Sequence, residues 1–169
     1  MNRIVLSILV SNSSGVLNRV SGLFSRRGYN IDSLTVGTTE VENISRITVV
    51  AHGDELVLEQ ISKQVRKLED VMEVFVLPND ASVYRELVLI KVQADASERA
   101  DLVSIVDIFR AKIVDVSPTS IVIEVTGDEP KVNGLLAMLD GFDIIEIVRT
   151  GLAGISRGLD SLNKKNDNH

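Results

Sequence analysis

Apolar residues cluster at the start of the chain and change their spacing at Gly15. Residues 3–10, RIVLSILV, are rich in aliphatic and β-branched side chains over too short a run for a core helix, which predicts a strand. From Gly15 the apolar positions recur at helical spacing, and Gly28 is well placed to end that helix. The predicted apolar face of this helix consists of Val16, Leu17, Val20, Leu23 and Phe24.

The following stretches predict a hairpin, a second helix and a further strand. NIDSLTVGTT and ISRITVVA, joined by polar residues 40–43, are typical of two paired strands. Asp54 is placed to cap a helix with an apolar stripe, and DVMEVFVL then predicts the strand that closes the first half. The stripe consists of Leu58, Ile61, Val65 and Leu68.

The same order of elements recurs in the second half of the chain. RELVLIKVQA predicts a strand, residues 97–110 a helix, and AKIVDVS and SIVIEVTG two strands around a Pro-Thr turn. Asp128 is placed to cap the second helix, and DIIEIVRTG predicts the last strand. HGDE and TGDE open the second helix of each half, which indicates a duplication.

The order β-α-β-β-α-β, written twice, predicts an α+β protein of two ferredoxin-like domains. Each domain is expected to be an antiparallel four-stranded sheet with two helices on one face. The predicted domains are residues 1–77 and residues 84–160, with a linker at 78–83 and a frayed polar tail at 161–169.

In the first half, the first and the last predicted strands carry apolar residues on both faces, which predicts that the second face of the sheet is covered. In the first strand Val5 and Leu9 lie opposite the face of Ile4, Leu6 and Ile8. In the strand at 70–77 the alternation predicts one face of Val71, Phe75 and Leu77 and another of Met72, Val74 and Val76. Because apolar patches of this size usually mark an interface, we predict a homodimer.

Composition excludes several classes of function. The net charge is −6 and aromatic residues make up 4% of the chain, which disfavours a nucleic-acid binder with its basic surface and stacking aromatics. There is no cysteine, so disulfides and thiolate sites are excluded, and no apolar run approaches the roughly 18 residues of a membrane span. With no signal-peptide pattern at the amino terminus, a cytoplasmic protein is expected.

No catalytic or metal-binding set emerges from the sequence. His52 follows a strand and His169 lies at the carboxyl terminus, and neither has metal-ligand spacing. No serine lies in a nucleophile-elbow pattern, and the acidic pairs at 54–55 and 128–129 are explained by helix starts. We therefore predict no catalytic residues and no metal site.

The turn SNSSGV, residues 11–16, is the best candidate in the sequence for a ligand-binding site. It lacks the lysine and second glycine of a phosphate-binding loop, and Val16 and Leu17 stand where a capping box needs Glu or Gln. Its backbone N–H groups at a helix start suit a small carboxylate, with Gly15 permitting close approach. The alternative is an ordinary helix capped by Ser or Asn, and the local pattern leaves both open.

The stretch RIVLSILVSNSSGVLNRVSGLFSRRGYNIDSLTV resembles the start of an ACT domain, that of the small regulatory subunits of acetolactate synthase (acetohydroxyacid synthase). SRITVV, GDELVLEQISKQVRKL and, in the second half, FRAKIVDVSP through RTGLAGISRG continue the resemblance. It implies that residues 1–77 are an ACT domain and that the chain is a non-catalytic regulatory subunit.

The resemblance also implies the ligand and the partners. Valine would bind between the ACT domains of a homodimer, with Asn30 and Ile31 coming from the second chain and the Asn30 side-chain oxygen accepting from the ammonium group. The partner would be the large catalytic subunit, which holds thiamine diphosphate, magnesium and FAD, with no cofactor in this chain. A free-standing ACT-type amino-acid sensor is the alternative reading. The residues expected from the first chain, their N–H groups meeting the carboxylate, are Asn12, Gly15, Val16 and Leu17.

Overall fold

The first half folds into the predicted order of elements. A computed structural model describes residues 2–158, so the predicted tail at 161–169, with His169, lies outside the described residues. The elements of the first half are β1 (Asn2–Ser11), α1 (Val16–Arg26), β2 (Ile31–Thr38), β3 (Ile44–Gly53), α2 (Glu55–Val65) and β4 (Val71–Val76).

These four strands form one antiparallel sheet in the order β2-β3-β1-β4, which confirms the predicted ferredoxin-like arrangement. Both helices contribute to a single core against the sheet, since Phe24 of α1 and Ile61 of α2 are fully buried with Leu6 and Ile8 of β1. Asp54 caps α2 as predicted, because its side chain accepts a hydrogen bond from the Val57 amide at 2.8 Å.

The predicted apolar face of α1 is confirmed except at one position. Val16, Val20, Leu23 and Phe24 are buried, whereas Leu17 is 43% exposed. The buried positions follow the spacing i, i+4, i+7, i+8 of one helical face, and Leu17 is rotated about 100° away from Val16. Leu17 therefore reaches solvent beside the start of the helix.

The predicted alternation along β4 is confirmed from Val74 to Val76 and is wrong at Val71. Val74 pairs with Ile8, and Val71 pairs with Val10, so both point toward the helices although they are three residues apart. The register shifts between Leu9 and Val10, and such a bulge restarts the alternation of side chains. Val71 therefore does not share a face with Phe75, while Met72 is 59% exposed.

The second half repeats the arrangement. A short 3-10 turn, Asn79–Ala81, leads into a strand that begins inside the predicted linker. The strands of this sheet lie in the order 112–116, 120–127, 82–93 and 144–149. The Asp128 side chain accepts from the Lys131 amide at 3.1 Å, which confirms the second predicted cap. The elements are β5 (Ser82–Gln93), α3 (Arg99–Ile108), β6 (Lys112–Val116), β7 (Ser120–Gly127), α4 (Glu129–Met138), β8 (Ile144–Arg149) and β9 (Ala153–Ser156).

The end of the second domain differs from the predicted boundary at residue 160. Residues 84–151 form one compact unit, whereas residues 152–158 group with residues 2–83. Two hydrogen bonds join Leu152 to β2. The Leu152 amide donates to Ser33 Oγ at 2.8 Å, and Thr35 Oγ1 donates to the Leu152 carbonyl at 3.1 Å. The unpredicted strand β9 then contacts β1.

The face of the first sheet opposite the helices is consequently not bare in a single chain. Val5 and Leu9 are only 2% and 4% exposed, so the prediction that they need a second copy of the chain to cover them is wrong. Val36, Met72 and Val76 do remain exposed on the same unit. The homodimer stays a prediction, which now rests on the resemblance to ACT domains.

Residues 2–158 contain neither a candidate membrane-spanning helix nor a candidate metal site. No helix there is long and apolar enough to cross a membrane. No group of three or more His, Asp or Glu side chains within this range is placed to hold a metal ion.

Candidate functional site

The Gly15 turn leaves the start of α1 without a side-chain cap. Gly15 is the N-cap residue and has φ 83°, the left-handed region that glycine adopts without strain. No side chain of the described residues hydrogen-bonds to the helix start, so the alternative of Ser or Asn capping an ordinary helix is not what the structure has.

The backbone donors of this turn are therefore available. The first helical hydrogen bond runs from the Arg19 amide to the Gly15 carbonyl at 3.0 Å, which leaves the amides of residues 16–18 as the unpaired first turn. Asn12 differs, because its amide already donates to the Asn43 carbonyl at 2.8 Å. The backbone amides that can bind an anion at the positive end of the helix dipole are thus those of residues 16–18. Asn12 can contribute only its side chain to such a site.

Arg19 adds a positive charge to the same turn. Its Nε donates to Asp70 Oδ2 at 2.5 Å, and a Cβ placed on Gly15 would lie 2.9 Å from its Nη1. This hydrogen bond raises the pKa of the Arg19 guanidinium and lowers the pKa of the Asp70 carboxyl below 3.8. The stability that the pair contributes is present at neutral pH and is lost as the pH falls through the lowered Asp70 pKa.

Asn30 is held by a chain of side chains at the start of β2. Its Nδ2 donates to Asp32 Oδ1 at 3.0 Å, and the other Asp32 oxygen contacts His52 Nδ1. With the amide nitrogen engaged, the Asn30 side-chain oxygen is left as the acceptor. This is the orientation that the predicted contact with an ammonium group needs.

The two groups of residues lie far apart within one chain. Gly15 precedes α1 and Asn30 follows it, and α1 spans 11 residues, which corresponds to roughly 16 Å along the helix axis. A molecule as small as valine cannot touch both ends of that helix. The separation agrees with a site completed by a second chain, and the assembled site itself stays a prediction.

The predicted residues divide by their surroundings. Asn12, Gly15, Leu17 and Asn30 are exposed or reach solvent, whereas Val16 is 4% exposed and Ile31 packs against the core. Val16 can therefore contribute its amide and not its side chain. The sequence reasoning missed Arg19, Asp70 and Asp32, although the i+4 spacing of Arg19 from Gly15 is a signal that indicates a contact over the turn.

The two ends have opposite preferences for charge. The open amides and the Arg19 guanidinium favour an anion at the Gly15 end, while the Asn30 oxygen beside Asp32 favours a cationic donor. A small zwitterion suits this pair of environments.

Two protein families match most of the chain between them. Residues 6–73 match the family described as AHAS small subunit-like ACT domain. Residues 85–158 match the family described as small subunit of acetolactate synthase.

Individual relatives match over nearly their full length. A probable acetolactate synthase small subunit of Methanothermobacter thermautotrophicus is 49% identical over 91% of this chain and 92% of its own length. The acetolactate synthase isozyme 3 small subunit of Salmonella typhimurium is 47% identical over 92% of this chain and 96% of its own length. The crystal structure of the acetolactate synthase small subunit from Thermotoga maritima has a TM-score of 0.85 and 39% identity, covering 94% of this chain and 99% of that one.

Proposed function

We propose, since the chain belongs to the family of acetolactate synthase small subunits, that it activates a large catalytic subunit and makes that subunit sensitive to valine. The observation that carries the proposal is the uncapped start of α1, where open amides and the Arg19 guanidinium surround Gly15. The proposal assigns thiamine diphosphate, magnesium and FAD to the large subunit and none of them to this chain.

The proposed valine site is shared by two copies of the chain. The carboxylate lies at Asn12, Gly15, Val16 and Leu17 of one copy, and the ammonium meets Asn30 beside Ile31 of the other. A ligand that bridges two copies favours the arrangement in which both halves meet, and it shifts the population by its differential affinity. Couplings of this kind are typically about 1–3 kcal/mol, enough to change an activity several-fold.

Reconstitution with a large subunit tests the function directly. Adding the purified chain to an acetolactate synthase large subunit should raise the rate of acetolactate formation, and valine should then lower it. Absence of stimulation would refute the proposal. Saturable valine binding to the chain without any effect on the large subunit would instead support the free-standing amino-acid sensor.

Asp32 is expected to orient Asn30 for the ligand. Replacing Asp32 by alanine removes the acceptor of the Asn30 amide at 3.0 Å, and valine affinity should fall by about threefold to tenfold, the value of one hydrogen bond. Isothermal titration calorimetry measures this change. The fold should persist, because Asp32 is exposed and contacts only Asn30 and His52 through its side chain.

Two further variants separate orientation from charge. Asp32→Asn retains a side-chain oxygen that can accept from Asn30, so it should recover most of the affinity. His52→Ala leaves the Asn30–Asp32 hydrogen bond in place, so it should cost less than Asp32→Ala. Equal affinity of Asp32→Ala and the unsubstituted chain would show that Asn30 needs no such support.

A further inference from the structure

A cavity separate from the candidate valine site lies on the face of the first sheet that points away from the helices. Its volume is about 450 Å³, and it lies between β2, β3 and the returning residues 153–155. This volume falls within the range of sites for small molecules, about 300–1,000 Å³. The cavity is lined by none of the residues assigned to the valine site.

The floor of the cavity follows from the register of three strands. Thr48 of β3 pairs with Thr35 of β2 on one side and with Ser7 of β1 on the other, so a row of hydroxyl side chains crosses the sheet. In the next row Arg46 pairs with Gly37. Directly paired residues share a face, so the guanidinium lies beside the hydroxyl row.

Arg46 is a half-buried charge that lacks a counter-ion. Its Nη1 donates to Ser7 Oγ at 3.1 Å. No carboxylate of residues 2–158 lies within 4.0 Å of its nitrogens, and its other nitrogens have no hydrogen bond in that range. Burying part of a charge costs free energy unless it is paired, so an anion in the cavity would offset that cost.

Thr48 provides a hydroxyl to the same cavity. The residue is 3% exposed and lines the cavity. Thr35 is different, because its hydroxyl already donates to the Leu152 carbonyl. A threonine hydroxyl can donate to an acceptor oxygen, so Thr48 beside Arg46 suits a ligand with a carboxylate.

The remaining walls limit the size and character of that ligand. A Cβ on Gly37 would meet no atom within 4 Å, so the space beside Arg46 is open, and Ala153 and Ile155 add apolar surface. Glu40 stands exposed among the lining residues. Its negative charge and the single guanidinium disfavour a doubly charged anion such as phosphate.

We propose that this cavity binds a small aliphatic carboxylate, with Arg46 pairing the carboxylate and the Thr48 hydroxyl donating to it. The short apolar body of the ligand packs against Ala153 and Ile155. The site is independent of the valine site, so either assignment can fail without the other.

Titration of the full-length chain with isobutyrate, followed by NMR, tests the proposal. Saturable shifts are expected at the Thr48 methyl and the Arg46 Nε–H signals, with a dissociation constant on the order of millimolar for so small a ligand. Arg46→Gln should weaken binding by about tenfold or more, because a charge-assisted hydrogen bond is lost. Gly37→Val, which places a side chain in the open space, should abolish it.

Three control measurements show whether an effect is specific to this cavity. Glu40→Gln should bind isobutyrate equally or more tightly. Gly15→Asp should leave the isobutyrate-induced shifts unchanged, and Arg46→Gln should leave the affinity for valine unchanged. The proposal is overturned if isobutyrate produces no saturable shift at Thr48, or if Arg46→Gln binds as tightly as the unsubstituted chain. Tighter binding of inorganic phosphate than of isobutyrate would overturn the choice of ligand class.

Discussion

Replacing Gly15 by aspartate is expected to lower the affinity for valine by about a hundredfold or more, because opposing two carboxylates costs several kcal/mol. The added carboxylate would stand at the uncapped start of α1, where we place the carboxylate of valine. A Cβ at this position also lies 2.9 Å from Arg19 Nη1 and must displace it. Calorimetry measures the affinity, and reconstitution with the large subunit should show activation retained and inhibition by valine lost.

Gly158→Asp is the matched control for this substitution. Gly158 also has a positive φ, 74°, and a Cβ there meets no atom within 4 Å. The two variants therefore share the new charge and the left-handed backbone, which aspartate tolerates better than most residues. Gly15→Ala should give an intermediate loss, because it adds the Cβ without the charge. Normal valine affinity in Gly15→Asp would refute the site assignment.

Mixing two inactive variants is expected to restore valine binding. Neither Gly15→Asp nor Asn30→Ala should bind valine tightly alone, since every shared site then lacks one half. In a mixed dimer one site combines the intact Gly15 of one chain with the intact Asn30 of the other. Random pairing of equal amounts makes about half of the dimers mixed, so about a quarter of the normal number of sites should return at normal affinity.

Stoichiometry from calorimetry measures that fraction after the two variants are unfolded and refolded together. The double variant Gly15→Asp with Asn30→Ala, mixed with the unsubstituted chain, is the control. Its mixed dimers contain no intact site, because each site then includes one altered residue. Only the unsubstituted dimers, about a quarter of the total, should therefore bind valine in this control, whereas a site within one chain would leave about half of the normal number of sites. Failure of the two single variants to complement each other would place both halves of the site within one chain.

The sequence predicted the elements of the fold because their signals are local. Helix periodicity, cap residues and turn residues act over about four positions, so each half could be read independently. The repeated Gly-Asp before each second helix is an example. Asp54 and Asp128 both cap their helices. The glycine before each of them lies against the side chain four positions later: a Cβ on Gly53 would stand 3.2 Å from Val57, and a Cβ on Gly127 would stand 2.5 Å from Lys131.

The candidate site was predicted in part for the same reason. Gly15 and its unpaired amides belong to one turn, and the pattern there already excluded a capping box. The charges around it were missed, because Arg19 and Asp70 are 51 positions apart and Asp32 and His52 are 20 apart. These pairs meet only when the sheet places their strands and helices in register.

By itself the sequence determined the two βαββαβ halves, their caps and the apolar stripes of the helices. The tertiary structure decided that the Gly15 turn is uncapped, where the chain returns at Leu152, and which face Val71 occupies after the bulge. It also decided that Arg46 stands beside Thr48 with no carboxylate of residues 2–158 within 4.0 Å. The physical reason is that local spacing determines a residue's place on its own element. Register, bulges and the return of a distant segment determine what that residue meets.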